Sequence, residues 1–187
     1  MRRLTQAAVV LSAVALSPPA LAQDAAKKPP EMPKPAPALT DAFKGMTGTW
    51  ACKGKAQKMD GSGEIDTQST MVLRSELDGF AYAGTYQMGK NSVMPSGMKG
   101  QMFWTYDAST NKLVEFYADN AGGVGRGTSD GLKGTATAWD EDGVMMGKAS
   151  KTRTTVTRIS PTEVTLTFEM QADGKWSQMG HTSCKKH

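Results

Sequence analysis

Glu163-Val164-Thr165-Leu166-Thr167-Phe168-Glu169-Met170-Gln171 is the stretch on which the fold turns. Val164, Leu166, Phe168 and Met170 occupy every second position, with Glu163, Thr165, Thr167 and Glu169 between them. That is the period of a strand with one face in a core and the other in water. Asp173-Gly174 then turns the chain into a last strand-like run, Lys175 to Lys186.

The pattern repeats outward from there. Short runs rich in Val, Thr, Tyr, Phe and Trp alternate with turn clusters: Met59-Asp60-Gly61-Ser62-Gly63, Leu77-Asp78-Gly79, Asp107-Ala108-Ser109-Thr110-Asn111, Glu141-Asp142-Gly143 and Ala172-Asp173-Gly174. About ten strands are predicted over residues 39–187, a length that suits one domain with a substantial core. Short connections favour hairpins over helical crossovers, hence an antiparallel meander. Only residues 39–46 read as helical, with Thr40 or Asp41 as cap and Phe43 as the apolar contact. Closure of the meander into a barrel removes the exposed strand edges, and a two-sheet sandwich is the alternative.

Cys52 and Cys184 are the two cysteines of the chain, and they fall in its first and last strand-like runs. In a closed meander those strands are neighbours, so the two residues can meet in a disulfide. The pair also points to an oxidising compartment. The N-terminus agrees. Arg2 and Arg3 precede a largely apolar run from Leu4 to Leu16, and Ala20-Leu21-Ala22 is an A-x-A site, so residues 1–22 read as a signal peptide cleaved after Ala22. The run is too short to span a membrane, and no later segment is continuously apolar. A protein exported to the periplasm or beyond, without a membrane span, is expected.

Residues 23–38 are rich in Pro, Ala and Lys and read as a disordered linker. Arg2 and Arg3 belong to the leader, so the mature chain keeps 20 basic residues against 18 acidic, a net charge of +2. Both signs are scattered, which excludes the basic patch of a nucleic-acid-binding protein. The oligomeric state is left open.

Gly48-Thr49-Trp50 resembles the Gly-x-Trp signature of lipocalins and other calycin-like barrels, in which the Trp packs across the closed end. Gly84-Thr85-Tyr86 follows, then Phe103-Trp104-Thr105-Tyr106-Asp107, Lys112-Leu113-Val114-Glu115-Phe116-Tyr117-Ala118-Asp119-Asn120 and Gly127-Thr128. The series resembles the exported bacterial domain-of-unknown-function family 1579. The resemblance implies a calycin-like barrel with Trp50 as its end-plug, and it brings no activity. The last strand lacks the arginine that covers this Trp in lipocalins, so Lys175 or the Cys52–Cys184 bridge is expected to cover that end.

Several chemistries compete for the interior. Phe80, Tyr82, Gly84, Tyr86 and Met88 share one strand face, and Met102, Trp104 and Tyr106 share the next, so Tyr82, Tyr86, Met102, Trp104 and Tyr106 could line a ligand cavity or simply fill the core. His181 invites comparison with small haem-binding barrels related to nitrobindin, but strand parity relative to Cys184 turns it outward. Met88, Met94, Met98 and Met102 around one loop, and Met145-Met146 in another, are ligands suited to Cu(I), or ordinary gap-fillers. Asp107 or Asp119 at the barrel mouth could serve an enzyme of unrecognised type, although no His lies near a nucleophile. Gly122-Gly123-Val124-Gly125-Arg126-Gly127 reads as a flexible strand edge, since no helix follows to bind phosphate. The leading expectation is non-catalytic binding of a small apolar or amphipathic ligand or a partner protein, with no cofactor, no metal and no catalytic residue assigned.

Overall fold

The alternating pattern closes on itself. In the computed structural model, which describes residues 33–187 apart from Met59, eleven strands follow one short helix. The strands are β1 (Gly48–Gln57), β2 (Glu64–Glu76), β3 (Ala81–Met88), β4 (Met98–Asp107), β5 (Lys112–Asp119), β6 (Val124–Ser129), β7 (Leu132–Lys133), β8 (Ala136–Met145), β9 (Lys148–Ser160), β10 (Glu163–Ala172) and β11 (Lys175–Lys186). Each pairs antiparallel with its neighbours in the order β6-β5-β4-β3-β2-β1-β11-β10-β9-β8, and β6 pairs with β8 to complete the ring. Ten strands therefore form an up-and-down barrel, with β7 added beside β8. Closure excludes the sandwich, because no pair of sheets is left to stack.

Register fixes which side chains look inward. Trp50 lies opposite Met71 and Lys186, and Cys52 opposite Cys184, where the disulfide joins the first strand to the last. Around the ring the same face carries Leu73, Tyr82, Trp104, Leu113, Trp139 and Val164, all buried. The tight β10–β11 turn has Asp173 at φ 51° and Gly174 at φ 75°, both left-handed, the geometry that matches strand twist in a two-residue hairpin.

Helix α1 spans Pro37–Phe43, two residues earlier than the sequence pattern indicates, and takes in Pro37 and Ala38 from the expected linker. Proline at its first position is preorganised for a helix and substitutes for a side-chain cap, which neither Thr40 nor Asp41 provides. Two other expectations are corrected. Glu141-Asp142-Gly143 is not a turn but the middle of β8, and the turn comes later, at Met146-Gly147. The glycine-rich 122–127 segment is not an edge, since β6 is hydrogen-bonded on both sides, to β5 and β8. The expected signal peptide and the linker as far as residue 32 lie outside the described residues. Among the described residues no helix is long and apolar enough to cross a membrane.

Candidate functional site

The barrel has two unlike ends. At one end β1 enters and β11 leaves, and α1 lies across the opening with Leu39, Ala42 and Phe43 buried. The Phe43 ring stacks on Tyr82 with centroids 4.4 Å apart and sits 5.2 Å from Trp104 and 6.5 Å from Trp139. Trp50 is 1% exposed, and its indole N–H donates to the Met46 carbonyl at 2.8 Å. Arg158 of β9 ties the helix down by donating from Nη2 to the carbonyls of Asp41 and Ala42, each at 2.7 Å. The residue over the Trp50 ring is Lys186, not Lys175: its Nζ is 5.7 Å from the ring centroid and donates to the Gly45 carbonyl at 2.9 Å. Lys175 begins β11 at the opposite end of the barrel, so it cannot reach.

Toward the other end the inner face changes composition. Large residues give way to Thr67, Ser69, Thr152, Thr154 and Thr182, and to glycines at 100, 125, 127, 143 and 180. The glycines have a steric reason. A β-carbon at Gly100 would run into the Tyr86 ring, and one at Gly125 into the Tyr117 ring, so each tyrosine lies flat over the bare backbone of the next strand. Phe168 faces inward, in register with Gly180 and Thr154, yet remains 39% exposed. This half is therefore less completely filled than the plugged end below it.

Two carboxyls sit at the boundary between the halves. Glu115 on β5 and Glu141 on β8 are both in register with Gly127 of the strand between them, so they flank a strip of backbone without a side chain. Glu115 is buried and accepts a hydrogen bond from Trp104 Nε1 at 2.8 Å. Glu141 accepts one from Thr152 Oγ1 at 2.8 Å. Burial, then the neighbouring Glu141 charge, pushes the Glu115 carboxyl up to about 8, against the Trp104 hydrogen bond. Burial also raises Glu141, against hydrogen bonds from Thr154 and Thr152. Tyr117 is raised chiefly by burial and then by Glu141, Glu115 and Asp119. Tyr86 is raised by burial and then by Asp119.

The ligand-lining residues expected from the sequence are divided between the two halves. Tyr82 and Trp104 are packed into the plug, and Tyr106, at the same end, donates its hydroxyl to Asn111 Oδ1 at 3.0 Å. Tyr86 and Met102 face the open half. Asp107 and Asp119 do not share a mouth, because they stand at opposite ends of the β4–β5 hairpin. Asp107, at the plugged end, accepts from the Ser109 backbone N–H at 2.9 Å. Asp119, at the open end, accepts from the backbone N–H groups of Ala121 and Gly123, each at 2.8 Å, and so builds the β5–β6 turn. His181 is exposed on the outer face beside Lys55 and Thr167. Met88 and Met98 are cross-strand partners at the rim, with Met94 in the loop between them.

Sequence reasoning missed Glu141, taken as a turn residue, and the convergence of Glu115 with it. The available signal was the period-two placement of Trp139, Glu141 and Gly143.

No family model matches this chain, that of family 1579 included, and no curated protein matches it. Solved structures match by fold. An S-type phycobiliprotein lyase from Guillardia theta has a TM-score of 0.50 at 10% identity, covering 78% of this chain and 90% of that one. A de novo designed fluorescence-activating β-barrel has a TM-score of 0.38 at 15% identity, over 79% of this chain and 98% of the design. The first likeness supports a calycin-like barrel and speaks to fold alone; the second is too distant to argue from.

Proposed function

We propose that this chain is an exported, non-catalytic barrel that holds one small apolar or amphipathic molecule in its open half. The observation that carries the reading is Phe168, an inward-facing aromatic 39% exposed whose cross-strand neighbours are Gly180 and Thr154. A barrel filled by its own side chains would bury it. Phe168 and Met170 offer an apolar wall above Leu166, Met71 and Met102, which pack against the plug, and Tyr86 and Tyr117 add rings with polar tips. The Cys52–Cys184 bridge suits an oxidising compartment such as the periplasm.

The test is native mass spectrometry on protein taken from the periplasm, paired with a Nile red titration. A small adduct lost on denaturation, or saturable Nile red fluorescence that Thr154→Trp abolishes by filling the lumen, is the expected result. A bare mass together with no saturable dye binding overturns the reading.

A further inference from the structure

Resting on the reading of the open half as a ligand site, we propose that its ligand carries a protonated amine, seated between Glu115 and Glu141 over Gly127. The geometry comes first. A β-carbon at Gly127 would lie 3.0 Å from Glu141 Cγ and 3.5 Å from Glu115 Cβ, so the bare glycine lets the two acids lean toward each other over the strand. The charge balance comes second. The inner face of the open half receives Glu115, Tyr117 and Asp119 from β5, Glu141 from β8 and Tyr86 from β3. Among the described residues β1, β2, β4, β6, β10 and β11 add no titratable group there except Lys175, and β9 adds only Lys148. Both lysines stand exposed at hairpin tips. Asp119 is occupied by its own turn. Glu115, buried, and Glu141, half-buried, therefore face an interior whose lysines stand off at the exposed hairpin tips, an arrangement costly to a protein unless a proton or a ligand balances it.

A third observation is independent of the acids. The Ser150 hydroxyl, inward on β9 opposite Gly143, is completely buried and has no hydrogen-bond partner. The space beside Gly143 also holds the Tyr117 hydroxyl. A primary ammonium has three N–H donors; the two carboxyls are acceptors beside Gly127, and the Ser150 hydroxyl stands one inward position nearer the rim, across from Gly143. The raised Glu115 carboxyl fits the same picture, because the empty site then holds a proton where the ammonium would sit. Binding of one ammonium releases that proton to solvent, and no bond to carbon changes.

Isothermal titration at pH 8 with phenethylammonium, phenethyl alcohol and phenylacetate, in two buffers of different ionisation enthalpy, tests the proposal. These probes share a ring and differ in the head group. The ammonium is expected to bind about tenfold or more tightly than the alcohol, as a charge-assisted hydrogen bond allows. Phenylacetate should bind most weakly. Protons should be released on binding the ammonium and not the alcohol. Glu141→Gln should bring the ammonium to within about twofold of the alcohol and leave alcohol affinity unchanged. Equal affinity for ammonium and alcohol, no proton release, or a preference that survives Glu115→Gln with Glu141→Gln overturns the amine assignment while leaving the lumen reading intact. If Glu141→Gln fails to fold, the wild-type probe series and proton count decide alone. Failure of all three probes to bind overturns both readings.

Discussion

The plugged half and the open half are built by the same ten strands with the same inward alternation, and they differ only in what the inward positions carry. Below, Trp50, Leu73, Tyr82, Trp104, Leu113, Trp139 and Val164 meet α1 and exclude solvent. Above, glycine, serine and threonine occupy many of the corresponding positions, and of the three large rings there Tyr86 and Tyr117 lie over glycines while Phe168 stands beside Gly180. A strand pattern thus specifies the shell, while side-chain volume, position by position, decides whether the shell is a core or a container. Substitutions should follow the same division, with stability concentrated below and ligand retention above.

The largest effect is expected at Trp50. Trp50→Ala deletes a fully buried ring and its hydrogen bond to Met46, and should cost about 3–5 kcal/mol in urea unfolding. An unchanged melting temperature with lost ligand would mean that the functional end has been assigned upside down. Next comes the bridge, which joins residues 132 positions apart. Loop entropy alone gives about 4–5 kcal/mol for such a closure, and measured bridges more often give about 2–4. Cys52→Ser with Cys184→Ser should lower the melting temperature by that measure and leave the far-ultraviolet sheet signal in place. Free thiols in periplasmic material would remove both this expectation and the argument for an oxidising compartment.

The acids give a pH signature from the boundary between the halves. The Glu115 carboxyl is raised from 4.5 to about 8 in the fold, so between those values the native state binds more protons than the unfolded chain. Its contribution to stability is then fully present below about pH 4.5 and is lost as pH rises toward 8. Glu115→Gln, which keeps an acceptor for the Trp104 N–H, should flatten that part of the stability profile and make the variant the more stable protein at pH 8. Chemical denaturation at closely spaced pH values checks it. A wild-type profile that rises between pH 5 and 8, with the variant tracking it, would show that Glu115 is solvated and that the lumen floor is wet.

How much of this was legible beforehand follows the same line between shell and contents. The alternation at 163–171 and the cysteine pair carry the barrel because strand period and chain closure are local or pairwise facts. The Glu141-Asp142-Gly143 segment misled because an inward glycine beneath an aromatic ring and a glycine in a turn look alike in sequence, and only the position of Tyr117 on another strand separates them. The same ambiguity made β6 look like an edge. Lys186 and Arg158 were illegible for a related reason: each acts on residues more than a hundred positions away, across a closure whose register the sequence does not state. Of the residues expected to line a cavity, register turns Tyr82, Tyr86, Met102, Trp104 and Tyr106 inward, whereas Phe80 of the same expected face precedes β3 and is exposed; the level at which the packing of α1 ends depends on contacts that strand period does not state.

The smallest effect is expected at Phe168, and it is the sharpest comparison of the two halves. Phe43 and Phe168 both point into the barrel; Phe43 is 6% exposed and Phe168 39%. Truncating Phe43 removes a ring packed against Tyr82, Trp104 and Trp139, and falls in the range for a core aromatic. Truncating Phe168 removes a ring whose outer part already meets water, next to Gly180 and Thr154, which offer it little to pack against. Phe168→Ala should therefore change stability by no more than about 1 kcal/mol, as solvated apolar surface is worth little to the fold. It should still weaken Nile red binding measurably, because the ring is a large part of the apolar wall. Should Phe168→Ala instead destabilise the protein as much as Phe43→Ala, the upper half is a second core that closes in solution, and the difference in side-chain volume between the halves does not make a container.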